Sequence, residues 1–308
     1  MKIYNSIDEY NESKSSVVTI GTFDGIHKGH QKIFNKVINA SKQNNLSSVV
    51  LTFFPHPRNI LNKYNDIKMI DTLDEKIEHL EKIGIDHLII HPFDKKFSLL
   101  SADQFIKEYL VEKLKLKHII IGYDHRFGKG REASVSDLKE YSSDFNFIVD
   151  EIDAQEIEKI TISSTKIRNS INQGDLETTK KYLGRFFSLT GKVVKGDGLG
   201  KQIDYPTANI LIEDDYKIIP KDGVYYIRTK IYNKLYNGMM NIGHRPTIGN
   251  KAKSIEVNLF NFDRDIYDKV ISVDVVVKIR DEKKFSSINA LKAQLAKDEE
   301  HCLKLINK

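Results

Sequence analysis

A glycine-rich segment between two apolar patterns constrains the fold of this chain more than any other part of its sequence. The segment is GTFDGIHKGH at residues 21–30, termed the HxGH turn below; VVTI precedes it at 17–20 and IFNKVINA follows at 33–40. This order predicts a strand, a tight turn and a helix. Its three glycines let the backbone approach a polyphosphate, and the helix points unpaired N–H groups and its positive dipole end at the anion. We therefore expect an α/β fold that holds a nucleotide at this turn.

Two histidines, His27 and His30, add side-chain donors at the HxGH turn. Paired imidazoles above backbone N–H groups can align a phosphate and stabilise charge on a transferred phosphoryl group. Two alternatives remain open from this segment alone: the histidines lie on the surface, or they form half of a metal site. A metal site needs a third ligand nearby, and the only cysteine, Cys302, lies at the far end of the chain.

A second polar segment, ISSTKIRNSI at residues 162–171, begins another helical pattern. Hydroxyl groups and an arginine at a helix start can form a second anion site. A hydroxyl N-cap followed by a basic residue is also an ordinary way to begin a helix. The residues concerned are Ser163, Ser164, Thr165 and Arg168.

The HxGH turn and the SSTxIR pattern at residues 163–168 together resemble the adenylyltransferase half of the bacterial bifunctional riboflavin kinase/FAD synthetases. LTFFPHP at 51–57 and IIIGYDHRFGKG at 119–130 are similar to further motifs of that half, with His125 where the family usually has phenylalanine. The resemblance implies that FMN attacks the α-phosphate of ATP and expels pyrophosphate, with the two histidines of the HxGH turn as catalytic residues. It also implies an ATP site made of Gly21, Phe23, Asp24, Gly25, His27, Gly29, His30, Asp124, Ser163, Ser164, Thr165 and Arg168.

The order of patterns along the chain predicts two domains of different architecture. Up to about residue 183, buried strands such as SSVVLTFF and KHIIIG alternate with helical patterns such as DEKIEHLEKIG, an order typical of a doubly wound parallel sheet. The resemblance of the HxGH turn implies that this sheet is nucleotidylyltransferase-like. After residue 183, β-rich runs follow one another without helices between them, which predicts an antiparallel β-barrel, and a helical pattern from about 287 to 306 ends the chain. We predict domains at 1–183 and 184–308.

Composition and charge exclude several other classes of protein. At 308 residues, with 40% hydrophobic and 30% charged residues, the chain suits about two globular domains. No apolar stretch approaches the roughly 18 residues that span a membrane, no signal-peptide pattern precedes the first strand, and a single cysteine agrees with a reducing compartment. The net charge of +5 suits anionic substrates, without a basic stripe that would indicate nucleic acid. We expect a cytoplasmic protein without membrane or nucleic-acid partners, its oligomeric state being left open.

The predicted barrel domain carries its own phosphate-binding pattern, GKVVKGDGLGKQIDYPTANI at residues 191–210. A glycine-rich turn exposes amide N–H groups, and a hydroxyl and an amide oxygen two residues apart on a strand share a face and can meet Mg²⁺. The segment resembles the riboflavin kinase motif ending in GFPTAN, and NIGHRPTIG at 241–249 and EVNLFNF at 256–262 extend the match. The resemblance implies a kinase ATP site made of Gly196, Gly198, Gly200, Lys201, Thr207 and Asn209, with Mg²⁺ at Thr207 and Asn209 and with Glu256 as the catalytic base.

Two features of this second motif bear on its activity. The chain has Asp204 and Tyr205 where the family has Gly-Phe, and an aspartate at positive φ would strain the turn and slow the kinase. Glu256 shares one strand face with Asn258 and Phe260, and could also be an ordinary solvent-facing strand residue. The chemistry requires a carboxylate beside the 5′-hydroxyl of riboflavin to take its proton.

The resemblance covers essentially the whole chain and implies a bifunctional enzyme. ATP would phosphorylate riboflavin to FMN in the C-terminal domain, and a second ATP would adenylylate FMN to FAD in the N-terminal domain. One alternative is that one domain has lost its activity, as Asp204 and His125 hint. The other is a protein that binds flavins or nucleotides without chemistry, but such a protein has no use for a base aimed at a hydroxyl group.

Overall fold

Two compact units make up the structure, a computed structural model that describes residues 1–61, 67–123, 125–152, 162–196, 198–244 and 253–306. The first unit is Met1–Ser164 and the second is Thr165–Lys308. The contacts thus assign residues 165–183 to the second unit, whereas the sequence patterns predict a boundary after residue 183. Among the residues that the structure describes, no helix is long and apolar enough to cross a membrane.

The first unit alternates short strands with helices, as its sequence patterns predict. Its strands are rich in β-branched residues, and its longer helices are amphipathic. The elements are β1 (Lys2–Tyr4), a 3-10 turn (Ile7–Glu9), β2 (Ser16–Ile20), α1 (Lys28–Gln43), β3 (Ser47–Phe54), α2 (Pro57–Leu61), α3 (Leu73–Ile83), β4 (His87–Pro92), a 3-10 turn (Phe97–Leu99), α4 (Ala102–Gln104) continued by a π-helical segment (Phe105–Lys113), β5 (Leu116–Gly122), a 3-10 turn (Lys129–Arg131), α5 (Val135–Phe145), β6 (Ile148–Ile152) and the first residue of α6 (Ser164–Gln173).

The described strands of this unit form one parallel sheet in the order β1-β4-β3-β2-β5-β6. Every residue of β2 is buried, as expected for a parallel strand covered on both faces. Val18 and Ile20 pack into one apolar cluster and Val17 into another, because side chains alternate along a strand. The predicted doubly wound parallel fold is confirmed. The sequence patterns do not predict β1, a three-residue strand that is defined by its pairing with β4.

The strand order creates a crevice at the carboxyl end of β2. From β2 the chain continues through β3 and β4 towards one edge of the sheet, whereas β5 and β6 lie on the other side of β2. The loops after β2 and β5 therefore leave in opposite directions, and ligands of such sheets bind in the crevice between them. The HxGH turn follows β2, and the loop that contains His125 follows β5.

The second unit is built around a β-barrel. Its elements are the rest of α6, α7 (Leu176–Leu183), β7 (Phe187–Val194), α8 (Leu199–Gln202), β8 (Ala208–Leu211), β9 (Gly223–Ile231), β10 (Lys234–His244), β11 (Lys253–Leu259), β12 (Val270–Arg280) and α9 (Ile288–Ile306). The strands close into an antiparallel barrel in the order β10-β11-β8-β7-β12-β9. The predicted barrel with its C-terminal helix is therefore confirmed.

Helix α9 packs against β10 and β12 on the outside of the barrel. Its Cys302 is fully buried in an apolar cluster that includes Tyr226 and Phe260. An ion pair fastens the helix to β12: Nε and Nη2 of Arg280 donate to Oδ2 of Asp298 over 2.9 Å and 2.8 Å. The helix is thus held by apolar burial and by one buried carboxylate.

Candidate active sites

The HxGH turn presents two stacked histidines at the start of α1. His27 is the N-cap of the helix, and its Nδ1 accepts a hydrogen bond from the backbone N–H of His30 over 3.3 Å. The two imidazole rings stack with their centroids 3.6 Å apart. The ring of Phe23 stands perpendicular to that of His30, with 5.3 Å between centroids. Both histidines are therefore fixed beside the unpaired N–H groups of the helix N-terminus.

Gly25 is the residue whose backbone conformation the turn requires. Its φ is +83°, and a Cβ atom there would lie 2.9 Å from the side chain of Ile70. Phe23 and Ile26 on either side also have positive φ values, +43° and +38°. Such conformations are unfavourable for side chains with a Cβ and persist where the surrounding structure holds them, often at functional sites. The other two glycines of the turn lie at its ends, Gly21 after β2 and Gly29 in the first turn of α1.

Burial keeps both histidines neutral at pH 7. It lowers the pKa of His27 to about 4. Burial also lowers the pKa of His30 well below its ordinary value; the charge of Lys76, and that of His27 once His27 is protonated, lower it further. Because Nδ1 of neutral His27 accepts a hydrogen bond, its proton is on Nε2, which can donate to a phosphate oxygen. Within the described part of the chain, the buried Nδ1 of His30 has no hydrogen-bond partner.

Ser164 connects the second predicted anion segment to the HxGH turn. Its Oγ donates a hydrogen bond to the backbone carbonyl of Asp24 over 3.0 Å. Ser163 precedes it, and Thr165 and Arg168 continue α6 in the second unit. Ser164 therefore lies at the HxGH turn. Roles in ATP binding stay predictions for all four residues.

The loop after β5 keeps an aromatic contact despite its departure from the family pattern. The ring of His125 stacks with that of Phe127, with centroids 6.1 Å apart and planes 24° apart. A histidine can therefore replace the packing of a phenylalanine at this position. The neighbouring Arg126 is exposed, and Asp124, which the resemblance puts near ATP, lies outside the described residues.

The sequence patterns missed a buried polar cluster behind the HxGH turn. Asp24 and Asp71 are each 1% exposed and Lys76 is 2% exposed. Oδ1 of Asp24 accepts hydrogen bonds from the backbone N–H groups of Ile70 over 2.9 Å and of Asp71 over 3.4 Å. The carboxylate of Asp24 thus binds the backbone of residues 70 and 71. A role for Asp24 in ATP binding stays a prediction. One sequence signal could have indicated this cluster. Lys76 lies in the first turn of α3, where the helix dipole disfavours a cation.

The glycine-rich turn of the second unit packs closely over Thr207 and Asn209. A Cβ atom on Gly196 would lie 2.0 Å from Nδ2 of Asn209, so a larger residue would displace that side chain. A Cβ atom on Gly200 would lie 3.3 Å from Oγ1 of Thr207 and 2.2 Å from the carbonyl of Tyr205. The turn and the two candidate Mg²⁺ ligands are therefore neighbours in the folded unit.

Glu256 lies directly opposite Asn209. In the antiparallel pairing of β11 with β8, Glu256 is paired with Asn209. On its other side, in the pairing with β10, Glu256 is paired with Asn241. Residues that face each other in this way present their side chains on the same side of the sheet, with Cβ atoms about 5 Å apart. The candidate base and a candidate Mg²⁺ ligand therefore share one face of the barrel.

A cavity of about 610 Å³ is lined by the last residues of β11 and by those that follow it. Asn258, two residues beyond Glu256, lines it and donates from Nδ2 to the carbonyl of Pro206 over 2.8 Å. Tyr205 and Phe260 provide aromatic walls, and the hydroxyl of Tyr205 donates to Glu299 of α9 over 3.1 Å. Such a cavity has the size and the aromatic lining to receive a planar ring.

Asp204 has the strained backbone that its replacement of glycine predicts. Its φ is +64°, in the left-handed region that favours glycine. Its carboxylate forms an ion pair with Lys292 of α9 at the rim of the cavity. Gly198, which precedes α8, is also left-handed with φ +72°, and the side chain of Lys201 lies outside the described set. Whether the strain at Asp204 slows a kinase reaction stays a prediction.

Two protein-family models match successive parts of the chain. The FAD synthetase model matches residues 9–166, and the riboflavin kinase model matches residues 183–306. The HxGH turn lies within the first match, and Glu256 lies within the second.

Relatives also match along nearly the whole chain. A bifunctional riboflavin kinase/FMN adenylyltransferase of Buchnera aphidicola subsp. Schizaphis graminum is 40% identical, covering 100% of this chain and 99% of the relative. The protein of the same name from Listeria monocytogenes is 37% identical, covering 95% and 93%. A crystal structure from Streptococcus pneumoniae, named a macrolide-efflux protein, is 33% identical, with a TM-score of 0.86 and 97% of each chain covered. The chain therefore belongs to the bifunctional riboflavin kinase/FMN adenylyltransferase family, as its motifs predict, with the FAD synthetase part before the riboflavin kinase part.

Proposed function

We propose that the second unit transfers the γ-phosphate of ATP to riboflavin, and that the first unit joins the AMP part of another ATP to the FMN so formed. The observation that carries the proposal is the pairing of Glu256 with Asn209 beside the glycine-rich turn. It brings a proton acceptor next to groups that suit Mg²⁺ and phosphate, which phosphoryl transfer requires. The stacked histidines at the start of α1 support adenylyl transfer to FMN, because they can stabilise charge on the transferred phosphoryl group.

The oxygen atoms of Thr207 and Asn209 suit Mg²⁺. This ion prefers hard oxygen ligands and commonly takes one or two from the protein beside those of substrate phosphates. The close approach of Gly196 to Asn209 brings backbone N–H groups of the turn to the same place. When bound, Mg²⁺ would neutralise charge on the phosphates of ATP. In the described ranges, no group of His, Cys, Asp and Glu residues offers a different metal site.

In the kinase reaction, the cavity that Tyr205 and Phe260 line receives the flavin ring. The 5′-hydroxyl of riboflavin then approaches Glu256, whose carboxylate accepts its proton. The hydroxyl oxygen forms a bond to the γ-phosphorus of ATP, and the bond from that phosphorus to the bridging oxygen of ADP breaks. The products are FMN and ADP.

In the adenylyl transfer, a phosphate oxygen of FMN attacks the α-phosphorus of ATP. The bond from that phosphorus to the β-phosphate oxygen breaks, and pyrophosphate leaves with the electron pair. The attacking phosphate is already anionic, so the protein does not need to supply a nucleophile or a base. Nε2–H of His27, together with His30 and the N–H groups at the start of α1, stabilises the charge that develops on the transferred group.

Two incubations of the full-length protein test the proposal. With riboflavin and Mg-ATP we expect FMN and then FAD, separated by chromatography. With FMN and Mg-ATP we expect FAD and pyrophosphate. FAD from FMN without FMN from riboflavin would indicate that the second unit has lost its activity. Flavin or ATP binding without any product would instead support the binding-protein alternative.

We also infer a cytoplasmic location, with riboflavin, FMN and ATP as the small-molecule partners. Both reactions consume ATP, and a free cysteine suits a reducing compartment. Cys302 is buried, and burial raises the pKa of its thiol to about 12. Activity recovered in the membrane fraction of lysed cells would contradict this location.

A further inference from the structure

Lys76 occupies an unfavourable position for a lysine. It lies in the first turn of α3, where Thr72 forms a capping box with Glu75 and where the helix dipole repels a cation. Its side chain is buried, although burying an ammonium group is costly unless it is paired and hydrogen-bonded. A buried lysine at this position therefore needs a hydrogen-bond acceptor and a negative charge nearby, and a shorter or neutral side chain would lose these interactions.

The interaction is with the HxGH turn. Nζ of Lys76 donates a hydrogen bond to the backbone carbonyl of Thr22 over 2.8 Å. The hydroxyl of Thr52, at the end of β3, donates to the same carbonyl over 3.3 Å. The ammonium group therefore ties α3 to the second residue of the turn.

Two buried carboxylates balance the charge of Lys76. Burial lowers the pKa of its ammonium group, whereas the charges of Asp24 and Asp71 oppose that shift. Asp24 is itself part of the HxGH turn, and its backbone carbonyl accepts the hydrogen bond from Ser164. Residues 22–24 are thus held by a side chain of α3 at one end and by Ser164 at the other.

The segment that Lys76 holds leads directly to the strained part of the turn. Phe23, Gly25 and Ile26 have positive φ values, and His27 and His30 follow. Lys76 contributes to the field at His30, where its charge disfavours a second positive charge. The ammonium group thus acts on His30 through its charge and on the backbone that leads to both histidines through its hydrogen bond.

We propose that Lys76 is a positioning residue for adenylyl transfer: by holding the Thr22 carbonyl and balancing Asp24 and Asp71, it keeps the HxGH turn in the conformation that presents His27 and His30. The inference rests on the proposed function of the first unit. It adds a residue of α3 to the HxGH turn, which Ser164 also contacts.

The test compares Lys76→Met with Lys82→Met in the full-length protein. Lys82 lies on the same helix but is exposed and pairs with Glu78, so its change removes a charge without touching the turn. We expect Lys76→Met to lower kcat for FMN adenylylation by about tenfold or more and to raise KM for ATP, because small displacements of catalytic groups are costly. Riboflavin phosphorylation by the same protein, and both activities of Lys82→Met, should stay within about twofold of wild type.

Two further measurements separate positioning from stability. Both variants are assayed well below their unfolding temperatures, and the imidazole NMR signals of His27 and His30 are compared, since a residue that only stabilises the fold leaves kcat and these signals unchanged. If Lys76→Met does not fold, the charge-balanced double variant Lys76→Met/Asp71→Asn replaces it, with the same loss expected. A folded variant with normal kcat, KM and histidine signals would overturn the proposal, whereas absence of FAD synthesis by the wild-type protein would overturn the proposed function instead.

Discussion

At the scale of single residues, the proposed kinase step depends on Glu256 as the base. Glu256→Gln keeps the size of the side chain and removes its basicity, so we expect the phosphorylation rate to fall by about 10² to 10⁴ while ATP and riboflavin still bind. Steady-state kinetics and equilibrium binding measure the two effects. Glu300→Gln, an exposed residue of α9 that pairs with Lys304, is the matched control. Near-normal phosphorylation by Glu256→Gln would make Glu256 an ordinary strand residue.

His30 gives the corresponding test in the first unit. His30→Ala removes one ring of the stacked pair, and we expect FMN adenylylation to fall by about a hundredfold, as for loss of one transition-state donor. Riboflavin phosphorylation should survive, because its residues lie in the other unit. His301→Ala, an exposed histidine of α9, should change neither rate. Loss of both activities in folded His30→Ala, or unchanged FAD formation, would contradict our assignment of the HxGH turn.

Asp204 tests whether backbone strain limits the second unit. Asp204→Gly and Asp204→Ala both remove the ion pair with Lys292, but only glycine relieves the left-handed φ of +64°. Because this conformation costs a residue with a Cβ roughly 1 kcal/mol, we expect the glycine variant to be about 1 kcal/mol more stable than the alanine variant. Denaturant unfolding of the two proteins measures the difference. Equal stabilities would show that the surrounding turn, rather than the residue, determines the conformation.

At the scale of elements, α9 depends on its ion pair with β12. Asp298 is 2% exposed and holds Arg280, so Asp298→Ala would leave a largely buried guanidinium group without its carboxylate. We expect a loss of about 3 kcal/mol in the free energy of unfolding of the second unit. Phosphorylation should weaken, since α9 also carries Glu299 at the cavity, while adenylylation continues. Asp281→Ala, 70% exposed, should cost less than about 1 kcal/mol, and an equal loss in both variants would contradict this explanation.

At the scale of the whole molecule, the boundary between the units is a testable feature. Leu176, Thr179 and Leu183 of α7 are buried, and α7 packs against β7 and β12. A fragment of residues 165–308 should therefore fold, phosphorylate riboflavin and make no FAD. A fragment of residues 184–308 lacks this burial and should be less stable by about 3 kcal/mol or more. Circular dichroism and thermal unfolding measure the stabilities of the two fragments. Equal stabilities would favour a domain boundary after residue 183.

The sequence by itself was enough for the elements and motifs whose signals are local. Buried runs such as SSVVLTFF and KHIIIG became β3 and β5, and consecutive β-rich runs became the barrel, because side-chain periodicity follows from backbone geometry. The HxGH turn lies between a strand and a helix, as its glycines and flanking patterns predict. Strand β1 escaped prediction because three residues contain too little periodicity.

Tertiary structure alone decided which of these residues meet. Glu256 faces Asn209 because of the register between β11 and β8, and the two residues are far apart in the sequence. Ser164 reaches Asp24, and Lys76 reaches Thr22, only after the sheet and its helices have packed. Local patterns report the conformation of a segment and which of its faces is apolar, whereas contacts between distant segments depend on strand order, register and burial. Those are properties of the assembled fold.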